Sequence, residues 1–145
     1  MKYDISLNTL SADDFIRLFD SAGWGKPDRE LVATSLKNSY VTFAVKNGDE
    51  VIAMARLIGD GGMAFFLKDL IVAPGYQGKG IGKSLLAYIE DYIRSRLKEG
   101  WWCYFQLMSA KNKDEFYLKC GYKQHPHERS GHGFTKIIEK RKENG

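Results

Sequence analysis

The sequence predicts an α/β (α+β) protein, with a mixed central sheet of about six to seven strands flanked by about four helices. Apolar runs typical of strands alternate with helical repeats, a glycine-rich loop joins one strand to the longest helix, and turn residues separate the other segments. Of 145 residues, 43% are hydrophobic and 28% charged, as in ordinary globular proteins. We therefore expect one domain over residues 1–145.

The N-terminal third is predicted to contain two helices. Ser11 can cap the first, with Asp13 and Asp14 placed favourably in its first turn. The segment Gly23–Pro27 ends this helix, and Asp28 can cap a second helix that continues to about residue 38.

Three strands are predicted next. Tyr40–Val45 and Val51–Ile58 are joined by a hairpin signal, and Met63–Ala73 follows a second glycine turn. Apolar residues then repeat at helical spacing from Ile81 until Gly100. These segments should form an antiparallel meander followed by a long amphipathic helix.

The remaining residues predict a strand, a short helix and a hairpin. Trp101–Met108 has the pattern of a buried strand, and Lys113–Cys120 that of a helix closed by Gly121. The segment around Tyr122–Gln124 is expected to pair with Gly133–Ile138.

The loop Gln77–Ser84 has glycines at 78, 80 and 82, between a strand and a helix. Glycine lets the backbone approach an anion closely, and a helix N-terminus presents free N–H groups to it. The P-loop pattern fails because Gln77 stands where its first glycine is required, and the dinucleotide pattern fails because Lys83 stands where its third is required. The loop therefore predicts a phosphate site of another kind.

Gln77, Gly80 and Gly82 match the pattern [QR]-x-x-G-x-[GA]. The segment resembles the acyl-CoA signature of the GNAT superfamily of N-acetyltransferases, whose order of elements also matches the predicted one. Small bacterial, aralkylamine-type members are the nearest in character. The resemblance implies the GNAT fold and acetyl-CoA as cofactor. It assigns acetyl-CoA binding to Leu70, Ile71, Val72, Gln77, Gly78, Lys79, Gly80, Ile81, Gly82, Lys83, Ser84, Asn112 and Tyr117.

A second segment, Phe116–Tyr122, resembles the F/L-Y-x-K-x-G-F/Y signature of the same superfamily. By that resemblance Tyr117 is a catalytic residue that donates a proton to the departing CoA thiolate; packing, or a passive hydrogen bond to the sulfur, is the alternative. The asparagine that many members carry seven residues earlier is Ala110 here. Asn112 stands nearby and can instead cap the short helix.

The implied reaction is direct attack of a neutral primary amine on the acetyl thioester within a ternary complex. An amine of pKa ~10.4 is neutral only about once in 2,500 at pH 7, so a base or water relay helps. Asp69, before the cofactor strand's end, is the candidate base, and by alternation it shares a face with Leu67 and Ile71. The alternative is that Asp69 does not accept the proton and only positions a loop or attracts the ammonium. A bulge would allow the N–H of Leu70 or Ile71 to stabilise the oxyanion.

The acceptor side is weakly specified. Family analogy points to the first two helices and the last hairpin, and aromatic residues there can flank an arylalkylamine or polyamine or can simply be core. The substrate-binding candidates are Trp24, Phe19, Tyr40 and His132, with Arg56 and Phe65 nearby in the analogy. We expect no metal, because apart from Glu128 the histidines at 125, 127 and 132 have no carboxylate or cysteine at ligand spacing.

The net charge of +4 is scattered along the chain, which argues against nucleic acid as a partner. No apolar stretch is long enough for a membrane span, and the first residues lack a signal-peptide pattern, so we expect a cytoplasmic protein. The expected partner is a small-molecule amine, and a homodimer is possible. Two other functions stay open: acetylation of proteins or peptides, and acyl-CoA binding without turnover.

Overall fold

The computed structural model describes residues 2–140. The chain divides into two compact units, Met1–Met108 and Ser109–Gly145. The first unit is a five-stranded sheet in the order β1-β2-β3-β4-β5, with antiparallel pairing throughout except between β4 and β5, which are parallel. The strands are β1 (Asp4–Leu7), β2 (Val41–Asn47), β3 (Glu50–Gly59), β4 (Ala64–Val72) and β5 (Tyr104–Leu107). The helices are α1 (Ala12–Ser21), α2 (Arg29–Lys37) and α3 (Ile81–Arg96) in this unit and α4 (Asp114–Lys119) in the second.

The predicted helix caps are confirmed. The N–H of Asp14 donates to Ser11 Oγ at 3.1 Å, and the N–H of Leu31 donates to Asp28 Oδ2 at 3.0 Å. Each bond satisfies a donor that a helix start otherwise leaves without an intrahelical partner.

The two faces of the sheet pack against different helices. Ala44 and Ile71 belong to a buried cluster that includes Leu18 of α1. Phe43, the neighbour of Ala44 on β2, instead meets the Tyr92 ring of α3 edge-on, with centroids 5.6 Å apart. Because neighbouring strand residues point to opposite faces, α1 and α2 cover one face and α3 covers the other.

A β-bulge interrupts β4. Asp69 and Leu70 both lie opposite the single β3 residue Ala55, since the register shifts between Met54 and Arg56. Asp69 adopts the left-handed conformation there, with φ 56°. The bulge on which the oxyanion hypothesis depends is therefore present.

The bulge overturns one prediction made from alternation. Leu67 lies in the row of Val41, on the α3 face, whereas Ile71 lies in the row of Ala44, on the face of α1 and α2. Asp69 therefore cannot share a face with both, because the extra residue reverses the alternation between them.

Strand number and β5 also differ from expectation. The sheet contains five strands rather than six or seven: β1 was not predicted, and the last hairpin does not form within residues 2–140, where the second unit has only the bridge between His127 and Ser130. The predicted buried strand 101–108 is short and lies at the sheet edge, with Tyr104 61% exposed. Side chains on an edge strand are less buried than those on a central strand, because only one neighbouring strand flanks them.

The second unit is built around α4. Gly121 follows the helix at φ 92°, and the N–H groups of Gly121 and Tyr122 donate to the carbonyls of Leu118 and Tyr117. This pair of bonds is a Schellman motif, which confirms the predicted glycine cap. Asn112 does not cap α4, because the N-cap is Lys113, which makes no side-chain cap bond.

Across the described residues, no helix combines the length and apolar character that a transmembrane span requires.

Candidate active site

The glycine loop leaves β4 and opens directly into α3. Gly78 and Gly80 have φ values of 76° and 79°, and Gly80 is the N-cap of α3 without a side-chain cap bond. The first helical N–H to find a carbonyl in this helix is that of Ser84, bonded to Gly80 at 3.0 Å. The N–H groups of residues 81–83 therefore have no intrahelical acceptor, which is the arrangement that binds anions.

Open space lies in front of these two glycines. A Cβ added to Gly78 or Gly80 would meet no heavy atom within 4 Å. Glycine is thus required here by backbone conformation rather than by crowding. Lys79 and Lys83, both exposed, add positive charge beside the helix N-terminus.

Side chains hold this loop from behind. Gln77 Nε2 donates to the Val72 carbonyl at 3.0 Å, which ties the loop to the end of β4. The Tyr76 hydroxyl accepts from Asn47 Nδ2 at 3.0 Å, and Lys79 Nζ lies 5.5 Å from the centre of the Tyr76 ring. Asn47 has no local sequence signal for this contact, because only the fold brings the end of β2 to residue 76.

β4 and β5 part beside the loop. Their pairing runs from Ala64–Tyr104 to Leu67–Leu107, where β5 ends, while β4 continues to Val72. In the part of the chain that the structure describes, no strand pairs with this side of β4 after Leu67. The backbone of residues 68–72, which includes the predicted residues Leu70 to Val72, therefore has no strand partner on that side, and we call this the open side of β4.

Asp69, the predicted base, is held by an arginine. Arg56 Nε donates to Asp69 Oδ2 at 2.7 Å, and the two side chains are only 16% and 10% exposed. Arg56 Nη1 also reaches Ser39 Oγ at 3.5 Å. The structure thus brings together Asp69, the predicted base, and Arg56, which was predicted on the acceptor side.

A cavity of about 440 Å³ lies on the first unit between the end of α2 and strands β1 and β2. Its polar lining is Asn8, Lys37, Ser39, Tyr40 and Thr42, and two leucines complete it. We call it the Asn8–Thr42 cavity. Of these residues, only Tyr40 was among the predicted acceptor-binding candidates.

The other aromatic candidates pack on one another. Phe19 stacks on Phe15 at 5.5 Å between centroids and meets Trp24 edge-on at 5.2 Å. Trp24 stays 45% exposed, and Phe65 is core at 2%. Phe19 therefore has a packing role, and Trp24 offers the exposed ring.

The remaining predicted residues lie in the second unit. Tyr117 is partly buried, its ring meets those of Phe116 and Tyr122, and burial, together with the neighbouring Cys120, raises the pKa of its phenol. Asn112 has φ 67° and is exposed. His132 is exposed in an irregular segment.

The profile of the acetyltransferase (GNAT) domain family matches residues 38–124, more than half of the chain. The chain therefore belongs to the GNAT family, which confirms the resemblance of its glycine loop.

Curated relatives agree with this assignment. The chain is 32% identical over 124 residues to the histone acetyltransferase TAP1 of Glycine max, covering 78% of this chain and 52% of the relative. It is 32% identical over 95 residues to the uncharacterized N-acetyltransferase ycf52 of Gracilaria tenuistipitata var. liui, covering 62% and 52%. The chain thus spans about half the length of these curated relatives.

Two solved structures share the fold over nearly the whole chain. A probable acetyltransferase of unknown function from meticillin-resistant Staphylococcus aureus superposes with a TM-score of 0.79 at 28% identity, covering 93% of this chain and 99% of that one. A GNAT family acetyltransferase from Streptococcus pneumoniae gives 0.72 at 25% identity, covering 92% and 98%.

GNAT acetyltransferases use acetyl-CoA, and the residues present fit that molecule. The uncapped start of α3 and its two flanking lysines suit a pyrophosphate. The open side of β4 offers N–H and C=O groups that suit an amide-containing arm.

Proposed function

We propose that this chain is an N-acetyltransferase that moves the acetyl group of acetyl-CoA to the primary amine of a small molecule, by direct attack within a ternary complex. The observation that carries the proposal is the parting of β4 from β5 directly beside the uncapped N-terminus of α3. Family membership supports the same chemistry. An arylalkylamine is the acceptor class with which the exposed Trp24 ring agrees.

In this proposal acetyl-CoA supplies an acyl group activated as a thioester. The loop from Gln77 to Ser84 holds its phosphates, and the open side of β4 from Leu70 to Val72 holds its arm.

Asp69 is proposed to attract the acceptor ammonium and take its proton, directly or through water. Its ion pair with Arg56 occupies Oδ2, so Oδ1 is the oxygen that an ammonium would reach. Tyr117 is proposed to hold a proton for the departing thiolate. Its raised pKa suits a group that stays protonated at neutral pH.

A thiol-release assay with acetyl-CoA tests the reaction. The acceptors are phenethylamine, spermidine, an aminoglycoside and a lysine-containing peptide. Release with at least one small amine is expected. Binding of CoA without release for any acceptor would point to a binding protein instead.

The cofactor site has a test of its own in two variants of Gly80. Asparagine and aspartate both tolerate the left-handed conformation and have nearly the same shape, so Gly80→Asn is a matched control for Gly80→Asp. The added carboxylate should weaken CoA binding about fivefold or more relative to Gly80→Asn, because it repels phosphate at the helix start. Equal CoA dissociation constants by calorimetry would contradict the assigned site.

Acetylation of a protein or peptide is the second candidate function. It is favoured by the relative from Glycine max, which is named a histone acetyltransferase. Faster release with the peptide than with every small amine would select it.

A further inference from the structure

The Asn8–Thr42 cavity has a fixed, hydrogen-bonding wall. The N–H of Asn8 donates to the Thr42 carbonyl at 2.9 Å, and the Thr42 N–H donates to Asn8 Oδ1 at 3.0 Å. Asn8 is held in the left-handed conformation, with φ 58°, by this pair of bonds. Because Oδ1 is an acceptor in this pair, Nδ2 is the group with which Asn8 can donate to a ligand.

The charge of the lining is positive. Lys37, at the C-terminal end of α2, contributes an ammonium with three donors, and the other lining residues are neutral. Arg56 contacts Ser39 of the lining, but its positive charge is paired with the carboxylate of Asp69. An anionic or hydrogen-bond-accepting group therefore suits this cavity, and a second ammonium does not.

The cavity is separated from the bulge in β4 by strand β3, and a row of paired residues connects the two across the sheet. Thr42 is directly opposite Arg56, which is opposite Lys68 at the bulge. Ser39, also in the lining, contacts Arg56, which in turn contacts Asp69. Neighbouring strands are spaced by about 4.8 Å, so β2 and β4 are about 10 Å apart.

We infer that the Asn8–Thr42 cavity binds the far end of the acceptor, and that this end is an anionic group, such as a carboxylate, about 10 Å from the reacting amine. The inference rests on the proposed function and names its substrate class. The amine lies at Asp69, the molecule crosses Arg56, and its anionic end meets Lys37 and the Asn8 amide. Polyamines, with ammonium groups at both ends, are excluded from the preferred class.

Matched probes test this inference. Para-carboxyphenethylamine carries its amine and its carboxylate at opposite ends of an arylalkyl frame, and its carboxamide has nearly the same shape without the charge. Spermidine is the polycationic comparison. We expect the carboxylate to exceed the carboxamide in kcat/KM by about fivefold, the upper end for an exposed ion pair, and spermidine to be the poorest of the three.

Lys37→Glu should reverse the preference between carboxylate and carboxamide without changing the KM of acetyl-CoA. Lys98→Glu is the control with the same charge change, because Lys98 lies by the Trp101 ring rather than in the cavity. That control should keep the wild-type preference. Equal use of the two probes, or a preference unaffected by Lys37→Glu, would overturn the inference.

A binding measurement separates this inference from the proposed function. With CoA present, para-carboxyphenethylamine should shift the backbone amide resonances of Asn8, Ser39 and Thr42, whether or not acetyl transfer occurs. Shifts confined to other residues, or none at saturating probe, refute the cavity assignment even if amines are acetylated. Shifts at the cavity without thiol release would support the binding site and contradict the proposed acetyltransferase function.

Discussion

Asp69 combines two features that are rare in one residue. It is a non-glycine residue in the left-handed region, at φ 56°, and its carboxylate is paired with Arg56 in a place that leaves it only 10% exposed. Backbone strain of order 1 kcal/mol is tolerated where surrounding contacts determine the conformation. The bulge and the ion pair are those contacts.

Asp69→Asn should lower kcat/KM for acetyl transfer at least about 100-fold, the usual contribution of a positioned acid or base. It should also destabilise the fold by about 3 kcal/mol, because it leaves the largely buried Arg56 without an opposite charge. Urea unfolding and steady-state kinetics measure the two effects.

Asp91→Asn is the matched control. Arg94 and Asp91 form an ion pair with the same 2.7 Å separation, but their side chains are 69% and 79% exposed. Its loss should cost no more than about 1 kcal/mol. Equal destabilisation by the two variants would show that burial of the Arg56 pair has no energetic consequence.

Tyr117 should affect stability in alkali. Its phenol has a raised pKa in the folded state, chiefly through burial, so the folded protein keeps this proton more tightly than the unfolded chain. This contribution is fully present below the unfolded pKa of about 10 and is lost as the pH rises through the folded value.

The urea midpoint of Tyr117→Phe should therefore fall less than that of wild type when the pH is raised from about 9 to 11. Tyr104→Phe, at a tyrosine that is 61% exposed, is the control and should follow wild type. Identical pH dependence in wild type and Tyr117→Phe would be evidence against the shift.

At the scale of elements, the glycine loop is supported by contacts that sequence patterns do not contain. Tyr76 links β2 to the loop through Asn47, and Lys79 lies against its ring. These contacts orient the segment that leads into the α3 N-terminus. They belong to positioning residues rather than to catalytic ones.

Tyr76→Phe keeps the ring and removes the bond from Asn47. The KM for acetyl-CoA should rise about threefold, the worth of an ordinary hydrogen bond, while kcat and the acceptor KM stay unchanged. Asn47→Ala should do the same. The double variant should be no worse than either single variant, and additive effects in this cycle would contradict the proposed coupling.

Elements were predictable where their signals are local. Ser11, Asp28 and Gly121 mark helix ends by short-range hydrogen bonds, and all three act as predicted. The bulge at Asp69 was not predictable in position, because the run Leu70–Val72 that follows is apolar at every residue and so shows no alternation from which a shift could be detected. β1 is only four residues long and pairs with residues about forty positions later, so no local signal marks it.

At the scale of the whole molecule, the α3 face of the sheet concentrates stability in a few large side chains. Phe43 is fully buried and contacts both Tyr88 and Tyr92 of α3. Phe134, in the second unit, is 93% exposed. The two phenylalanines therefore form a natural comparison.

Phe43→Ala should lower the free energy of unfolding by about 3 to 5 kcal/mol, through lost burial and the cavity left behind. Phe134→Ala should change it by less than about 0.5 kcal/mol. Urea denaturation measures both. A large effect at Phe134 would reveal contacts that its exposure does not suggest.

The position of the glycine loop between a strand and the longest helix was predictable from the sequence, and the Asn8–Thr42 cavity was not. The loop carries its information in consecutive residues from Gln77 to Ser84, where glycine and lysine have direct conformational and electrostatic meaning. The Asn8–Thr42 cavity instead depends on residues 34 positions apart that the β1–β2 pairing brings together. No spacing rule connects such residues before the fold is known.

Because of the bulge, the number of residues in β4 decides which face of the sheet each of its side chains occupies. Leu67 belongs to one layer of the molecule and Ile71 to the other, although a regular strand would send both to the same side. Deleting one residue between them would restore regular pairing. It would also move every side chain on one side of the deletion to the opposite face of the sheet. A sequence with this fold can change the residues at positions 68–70 more easily than it can change their number.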